Sequence, residues 1–242
     1  MTEVRKSEPA DGYPPEEGCY LRGNDYSPVA VVVILRWRRE ETPIDIENLV
    51  RVGVESGAAL SGTLQTENVG IEKIICNVVS NPNIRYLIVC GPESPGHLVG
   101  DTLLALAKNG IDQRKHIIGA EAPTPYLFNV PAEFIERFRK QINLIDLINE
   151  GSPEVLRQAV QSCYQEKPTQ FRQYELYDTG AYSAEPLSGK ITWKVTQPSL
   201  EPKSDEEQKQ MQKIKSLMER IKKAAIKQHP ITESDGKENQ KC

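Results

Sequence analysis

Two kinds of apolar pattern alternate along this chain. Val29-Ala30-Val31-Val32-Val33-Ile34-Leu35 and Ile84 to Cys90 are continuous runs rich in β-branched residues. Such runs mark strands buried on both faces, as in parallel sheets. Elsewhere apolar positions recur at helical spacing, over Ile44–Glu55, Val69–Val79 and Leu98–Lys108. Ser80-Asn81-Pro82 ends the second helix, since a proline disfavours helical geometry in the residue before it. Asn109-Gly110 closes the third as a left-handed cap. Downstream, a short strand His116–Gly119 is predicted, then a helix from Pro131-Ala132-Glu133 to Lys140 and a strand Asn143–Ile148. Ser152-Pro153-Glu154 starts a last helix that runs to about Tyr164, with serine as the cap and proline in the first turn. The small-residue stretch Gly57–Thr63 reads as a loop. Strands alternating with helices imply right-handed βαβ units, hence an α/β domain with a mostly parallel sheet flanked by helices.

The pattern divides the chain. Residues 1–26 are rich in Pro, Gly and Glu and form an N-terminal arm. Residues 27–165 carry the α/β domain. Residues 166–197 are polar and Tyr-rich, an extended segment that packs on the domain. Residues 198–242 comprise a linker, an amphipathic helix and a disordered tail. In that helix Ser204-Asp205-Glu206-Glu207 is a capping box. Met211, Ile214, Met218, Ile221 and Ala225 form a stripe about two heptads long. A helix this short is marginal alone, so the stripe in 204–228 is expected to meet a partner or a second copy.

Composition narrows the function classes. The 242 residues carry a net charge of −4, which argues against a nucleic-acid partner. No 18-residue apolar run exists, so no transmembrane anchor is expected, and the predicted location is cytoplasmic. Five cysteines, Cys19, Cys76, Cys90, Cys163 and Cys242, contain no C-x-x-C pair. They read as reduced thiols, with Cys76 and Cys90 in the core.

The chemistry concentrates where the second apolar run stops. Gly91-Pro92-Glu93-Ser94-Pro95-Gly96-His97-Leu98 is a strand–loop–helix turn that delivers a histidine to a helix start. Ligands of open α/β sheets bind at such turns, at the carboxyl ends of strands. Gly91 and Gly96 have the spacing of a phosphate-binding loop, but His97 and Leu98 replace its lysine and hydroxyl residue, so nucleotide hydrolysis is not expected. A helix N-terminus disfavours imidazolium. His97 should therefore stay neutral and able to coordinate. Of the three histidines, His97, His116 and His229, only His97 sits in such a turn.

A succession of motifs carries a family resemblance. Thr66-Glu67-Asn68-Val69-Gly70-Ile71-Glu72-Lys73-Ile74-Ile75 precedes Asn77-Val78-Val79-Ser80-Asn81-Pro82-Asn83-Ile84-Arg85. Cys90-Gly91, Gly96-His97, Lys108-Asn109-Gly110-Ile111-Asp112, Ile117-Ile118-Gly119-Ala120-Glu121 and Pro125-Tyr126-Leu127 follow in order. This order, over Ser27 to Lys190, resembles the A subunit of tetrahydromethanopterin S-methyltransferase, which carries the corrinoid in the methyl-transfer complex of methanogenesis. The resemblance implies a Rossmann-like fold and a cobalamin or related corrinoid cofactor, with His97 as lower axial ligand of the cobalt. It also implies a carrier that moves a methyl group on cobalt between partner methyltransferases in one-carbon metabolism, one part of an enzyme system rather than a complete enzyme. Two departures stand out. The family's membrane-bound members end in a transmembrane helix, and the position four after the histidine looks like glutamine there but is Asp101 here. A non-corrinoid α/β ligand-binding protein or an interaction subunit is the alternative.

On this reading the cofactor-binding residues are Thr66, Glu67, Asn68, Gly91, Pro92, Glu93, Gly96, His97, Gly100, Asp101, Gly119, Ala120 and Glu121. A ligating histidine normally donates its other ring N–H to a carboxylate or carbonyl. Asp101 lies one helical turn on, with Glu93 and Glu121 as further candidates. Gly91, Gly96 and Gly100 either let a macrocycle approach or serve turn geometry alone. Gly119-Ala120-Glu121 should end a strand on the His97 edge, and Thr66-Glu67-Asn68 should start a helix with exposed polar groups that either serve as its N-cap alone or border the corrinoid or the partner face.

Overall fold

The computed structural model of the chain describes residues 5–36 and 42–192, together with Lys209 and Ser216. Two compact units divide the chain, residues 1–193 and 194–242. In the second, Lys209 and Ser216 are helical and exposed. The linker 198–203, the Met211–Ala225 stripe, the tail and Cys242 otherwise lie outside the described residues.

The first unit is built on β1 (Tyr20–Arg22), β2 (Val29–Ile34), α1 (Ile44–Glu55), β3 (Leu60–Leu64), α2 (Val69–Val79), β4 (Tyr86–Gly91), α3 (Val99–Asn109), α4 (Ala132–Gln141), β5 (Asn143–Ile148), α5 (Pro153–Cys163), β6 (Thr169–Phe171) and β7 (Tyr174–Leu176). Five strands form one sheet in the order β1-β3-β2-β4-β5, with β1 antiparallel and the others parallel. Strands β2 and β4 lie centrally and are buried at every position. Their side chains alternate between two cores, as a two-residue period requires. Ala30, Val32, Ile34, Leu87 and Val89 meet α2, α3 and α4. Val29, Val31, Val33, Ile88 and Cys90 meet α1 and α5. Among the described residues no helix is long and apolar enough to cross a membrane.

The order has a functional consequence. After β2 the chain steps to β3 on one side, then crosses back to β4 on the other. The crevice between the carboxyl ends of β2 and β4 is therefore a topological switch point, where doubly wound sheets take their ligands. The loop carrying His97 leaves β4 at that point.

Two expectations are corrected. Gly57–Thr63 does not form a loop throughout, since Leu60–Leu64 is strand β3. Its small residues answer to close neighbours. A Cβ on Gly62 would lie 2.5 Å from Tyr20 Cβ in β1, and one on Gly53 of α1 would lie 2.4 Å from Ser61 Oγ. The stretch His116–Gly119 is not a sheet strand. It makes only the isolated bridges Ile111–Ile117 and His116–Tyr126 inside the α3–α4 connection, because β5 holds the sheet position beside β4. The segment after α5 opens with a hairpin, β6–β7, whose turn holds Arg172 at φ 51°.

Beyond the hairpin the chain is extended and bonded to the domain. Tyr182 N–H donates to Pro82 O at 2.8 Å and Leu187 N–H to Val79 O at 3.0 Å. Four free cysteines are described, and Cys76, Cys90 and Cys163 are buried. Burial pushes the Cys76 and Cys90 thiols up to about 12.

Candidate functional site

Because β2 to β5 run parallel, the loops that follow them share one edge of the sheet. The β4–α3 loop begins at Gly91, whose φ of 89° suits glycine. A Cβ there would also approach Ile34 N to 3.3 Å. Gly91 N–H donates to Glu150 O at 2.8 Å, and Asn149 Oδ1 accepts from Glu93 N–H at 3.1 Å. The β5 loop thus anchors the loop before it reaches His97.

Glu93 caps helix α3. Its Oε2 accepts the Asp101 N–H at 2.8 Å, and its Oε1 accepts those of Ser94 at 2.7 Å and Gly100 at 3.2 Å. A carboxylate at a helix N-terminus offsets the unpaired N–H groups and the positive end of the dipole. It also fills the position that an anionic phosphate would take in a phosphate-binding loop.

Leu98, the residue before α3, sits in the left-handed region with φ 46°. That geometry costs a non-glycine residue about 1–2 kcal/mol. Ser94 O, which accepts from both His97 N–H at 3.2 Å and Leu98 N–H at 2.9 Å, holds it in place. The turn throws the His97 side chain outward, where it is 61% exposed.

His97 Nδ1 lies 3.1 Å from Glu67 Oε2. Glu67, just ahead of α2, is a buried residue, contrary to the expectation of exposed polar groups throughout 66–68. Its other oxygen, Oε1, accepts the Thr124 hydroxyl at 2.8 Å and the Thr124 N–H at 3.3 Å. Burial alone would push the Glu67 carboxyl up. Hydrogen bonds from its own backbone N–H, from Thr124 and from His97 outweigh that, and the carboxyl sits below the usual range. An ionised Glu67 accepts only, so the bond requires a proton on Nδ1, and in the neutral ring the lone pair is then on Nε2, the nitrogen away from Glu67. Nε2 has no partner among the described residues.

The other residues singled out from the sequence divide into groups. Thr66 Oγ1 accepts Gly70 N–H at 2.8 Å and Asn68 Oδ1 accepts Val69 N–H at 2.7 Å, so both cap α2. Asn68 Nδ2 also donates to Thr124 Oγ1 at 3.3 Å. Pro92 continues the loop between Gly91 and Glu93, partly exposed. Gly100 answers to internal packing, since a Cβ would lie 2.6 Å from Ile34 Cδ1 and 2.9 Å from Ile148 Cδ1. Gly96, with φ 84°, is different: a Cβ there would meet nothing within 4 Å, so the loop beside His97 opens onto free space.

Asp101 is exposed, and its backbone N–H is bound to Glu93. Burial first, then the charges of Glu121, Glu93 and Asp146, push its carboxyl up. Gly119, Ala120 and Glu121 lie in the α3–α4 connection rather than at a strand end. The imidazole partner is therefore Glu67, drawn from another loop, and not the carboxylate one helical turn away.

Thr124 and Asn149 escaped the sequence reading. Thr124 stands 57 residues from Glu67, and no local pattern joins the two. Asn149 had a weak signal, an Asn-Glu-Gly sequence at a strand's carboxyl end, and it adopts φ 67°.

Among the described residues no group of three or more His, Cys, Asp or Glu could hold a metal ion. The donor set consists of one outward imidazole nitrogen over an open, glycine-bearing loop. That set does not suit a metal held by protein alone. It does suit a metal whose other positions are filled by a macrocycle.

Known proteins share this chain's pattern over most of its length. The family model of the A subunit of tetrahydromethanopterin S-methyltransferase matches residues 6–187. Methanothermobacter thermautotrophicus has two such A subunits, numbered 1 and 2. The first is 40% identical over 171 residues, 70% of this chain and 67% of the relative. The second is 40% identical over 189 residues, 78% of this chain and 91% of the relative. The second A subunit of Methanobrevibacter ruminantium is 37% identical over 172 residues, 71% of this chain and 83% of the relative. With about three quarters of its length matched by one model, the chain belongs to the family of the tetrahydromethanopterin S-methyltransferase A subunit.

Proposed function

We propose that this chain binds cobalamin or a related corrinoid, with His97 as lower axial ligand, and carries a methyl group on its cobalt between partner methyltransferases of methanogenesis. One observation carries the reading. At the switch-point edge an exposed imidazole has Nδ1 tied to a buried carboxylate and Nε2 turned outward. When bound there, the corrinoid supplies the cobalt that accepts and releases the methyl group.

The chain's own residues supply the rest. His97 offers one neutral nitrogen. Glu67 sets which nitrogen that is, and accepts the ring's one N–H, on Nδ1, in the manner typical of partners of ligating histidines. Gly96 keeps the surface beside the imidazole free of side chain, so a flat ring system can approach. Glu93 fills the helix terminus with a carboxylate, which disfavours a nucleotide phosphate in the same loop. The relatives are named as subunits of a methyltransferase. Partner subunits would accordingly supply the donor and the acceptor of the methyl group.

The test is a visible-absorption titration of the full chain with hydroxocobalamin. Wild type should bind and give the spectrum of a histidine-ligated corrinoid, His97→Ala should bind weakly and lose that spectrum, and His116→Ala should match wild type. Equal affinity and spectrum in His97→Ala would overturn the assignment.

A further inference from the structure

Helix α2 and the segment just before it place two carboxylates inside the protein, and one loop engages both. Glu72 is fully buried, and it accepts Asn129 N–H at 2.7 Å and Asn129 Nδ2 at 2.8 Å. Glu67 accepts Thr124 at the same sequence offset. Leu127, between these two points, and Val130, just after them, are buried in the core beneath α2 and α4. Lys115 Nζ donates to Phe128 O at 3.2 Å and Val130 O at 2.8 Å. Residues 124–130 are thus seated on the helix, and Thr124 is the exposed outer end of that seat.

The polarity of the Thr124 bonds is informative. A hydroxyl has one proton to give. Thr124 Oγ1 lies 3.3 Å from Asn68 Nδ2, a donor, so its own proton points to Glu67 Oε1 at 2.8 Å. The Thr124 N–H reinforces the same oxygen. Oε1 is then filled, and Oε2 is left for His97.

We propose that Thr124 is a positioning residue: it fixes the rotation of the Glu67 carboxylate, and through it the tautomer and orientation of the His97 imidazole. His97 is mostly exposed, so without a fixed carboxylate its ring can turn and exchange tautomers in water. The consequence for cofactor affinity rests on the corrinoid reading above; the consequence for the tautomer does not.

The experiment uses the full chain, without ligand, labelled with nitrogen-15. Imidazole nitrogen shifts are read at a pH well above the ordinary histidine pKa of about 6.5. Wild type should show His97 with its proton on Nδ1. Thr124→Val should show a mixture of the two tautomers, and Thr124→Ser should restore the wild-type shifts. In a parallel hydroxocobalamin titration Thr124→Val should lose about tenfold in affinity, the low end of the range for outer partners of a ligating histidine, and Thr124→Ser should stay within about twofold. Wild-type shifts in Thr124→Val would overturn the proposal. A changed tautomer in a protein that binds no corrinoid even as wild type would uphold the positioning and defeat the cofactor reading.

Discussion

Removing Glu67 is the sharpest perturbation of the candidate site. Two substitutions separate its two roles. Glu67→Ala deletes the acceptor of His97 Nδ1 and of both Thr124 donors. A hydrogen bond to a charged group contributes about 1.5–3 kcal/mol. The carboxylate end is buried but the imidazole is 61% exposed to water, so the lower figure applies. At about 1.4 kcal/mol per factor of ten, corrinoid affinity should fall about tenfold. Glu67→Gln should cost less. Its single amide oxygen can still accept from His97, while its NH₂ donates to the rotated Thr124 hydroxyl. Only the bond from Thr124 N–H is then lost.

The two variants also differ from wild type in acid. The folded Glu67 carboxyl lies below its unfolded value. Its contribution to stability is therefore present above the ordinary carboxylate pKa of about 4.3 and lost as pH falls through the folded value. The stability gap between wild type and Glu67→Gln should be open at neutral pH and close in acid. The assays are urea unfolding at several pH values and titration with hydroxocobalamin. An affinity for Glu67→Ala within about twofold of wild type would refute the chain of reasoning from carboxylate to imidazole.

Two further outcomes follow from the packing. Gly62→Ala should destabilise by about 1–3 kcal/mol in urea unfolding, because its Cβ would meet Cys19 O at 2.7 Å and the Tyr20 backbone of β1; a variant as stable as wild type would show that β1 can give way. Asp101→Asn should leave corrinoid affinity within about twofold, because the bond to Glu93 uses the backbone N–H that asparagine keeps. A loss of about tenfold, the effect typical of a ligand's hydrogen-bond partner, would make Asp101 the imidazole's partner after all.

What the sequence determined by itself is what a single segment can encode. The buried strands β2 and β4 were legible because a residue facing a core on either side must be apolar at every position. The helices α1 and α2, the capped start of α5 at Ser152 and the strand Asn143–Ile148 were legible because period, cap and breaker lie within a few residues of one another. His97 stood out for the same reason: a turn at a strand's carboxyl end is a local pattern.

Tertiary structure decided what depends on neighbours remote in the chain. Leu60–Leu64 is a strand whose small residues look like a loop until β1 and α1 are packed against it. Glu67, not Asp101, meets His97 because β2, β3 and β4 bring their carboxyl-end loops to one edge, while the first turn of α3 points Asp101 elsewhere. Thr124 joins them from a loop 57 residues beyond Glu67. A hydrogen bond of about 3 Å is a property of distance in space, and spacing along the chain carries no record of it.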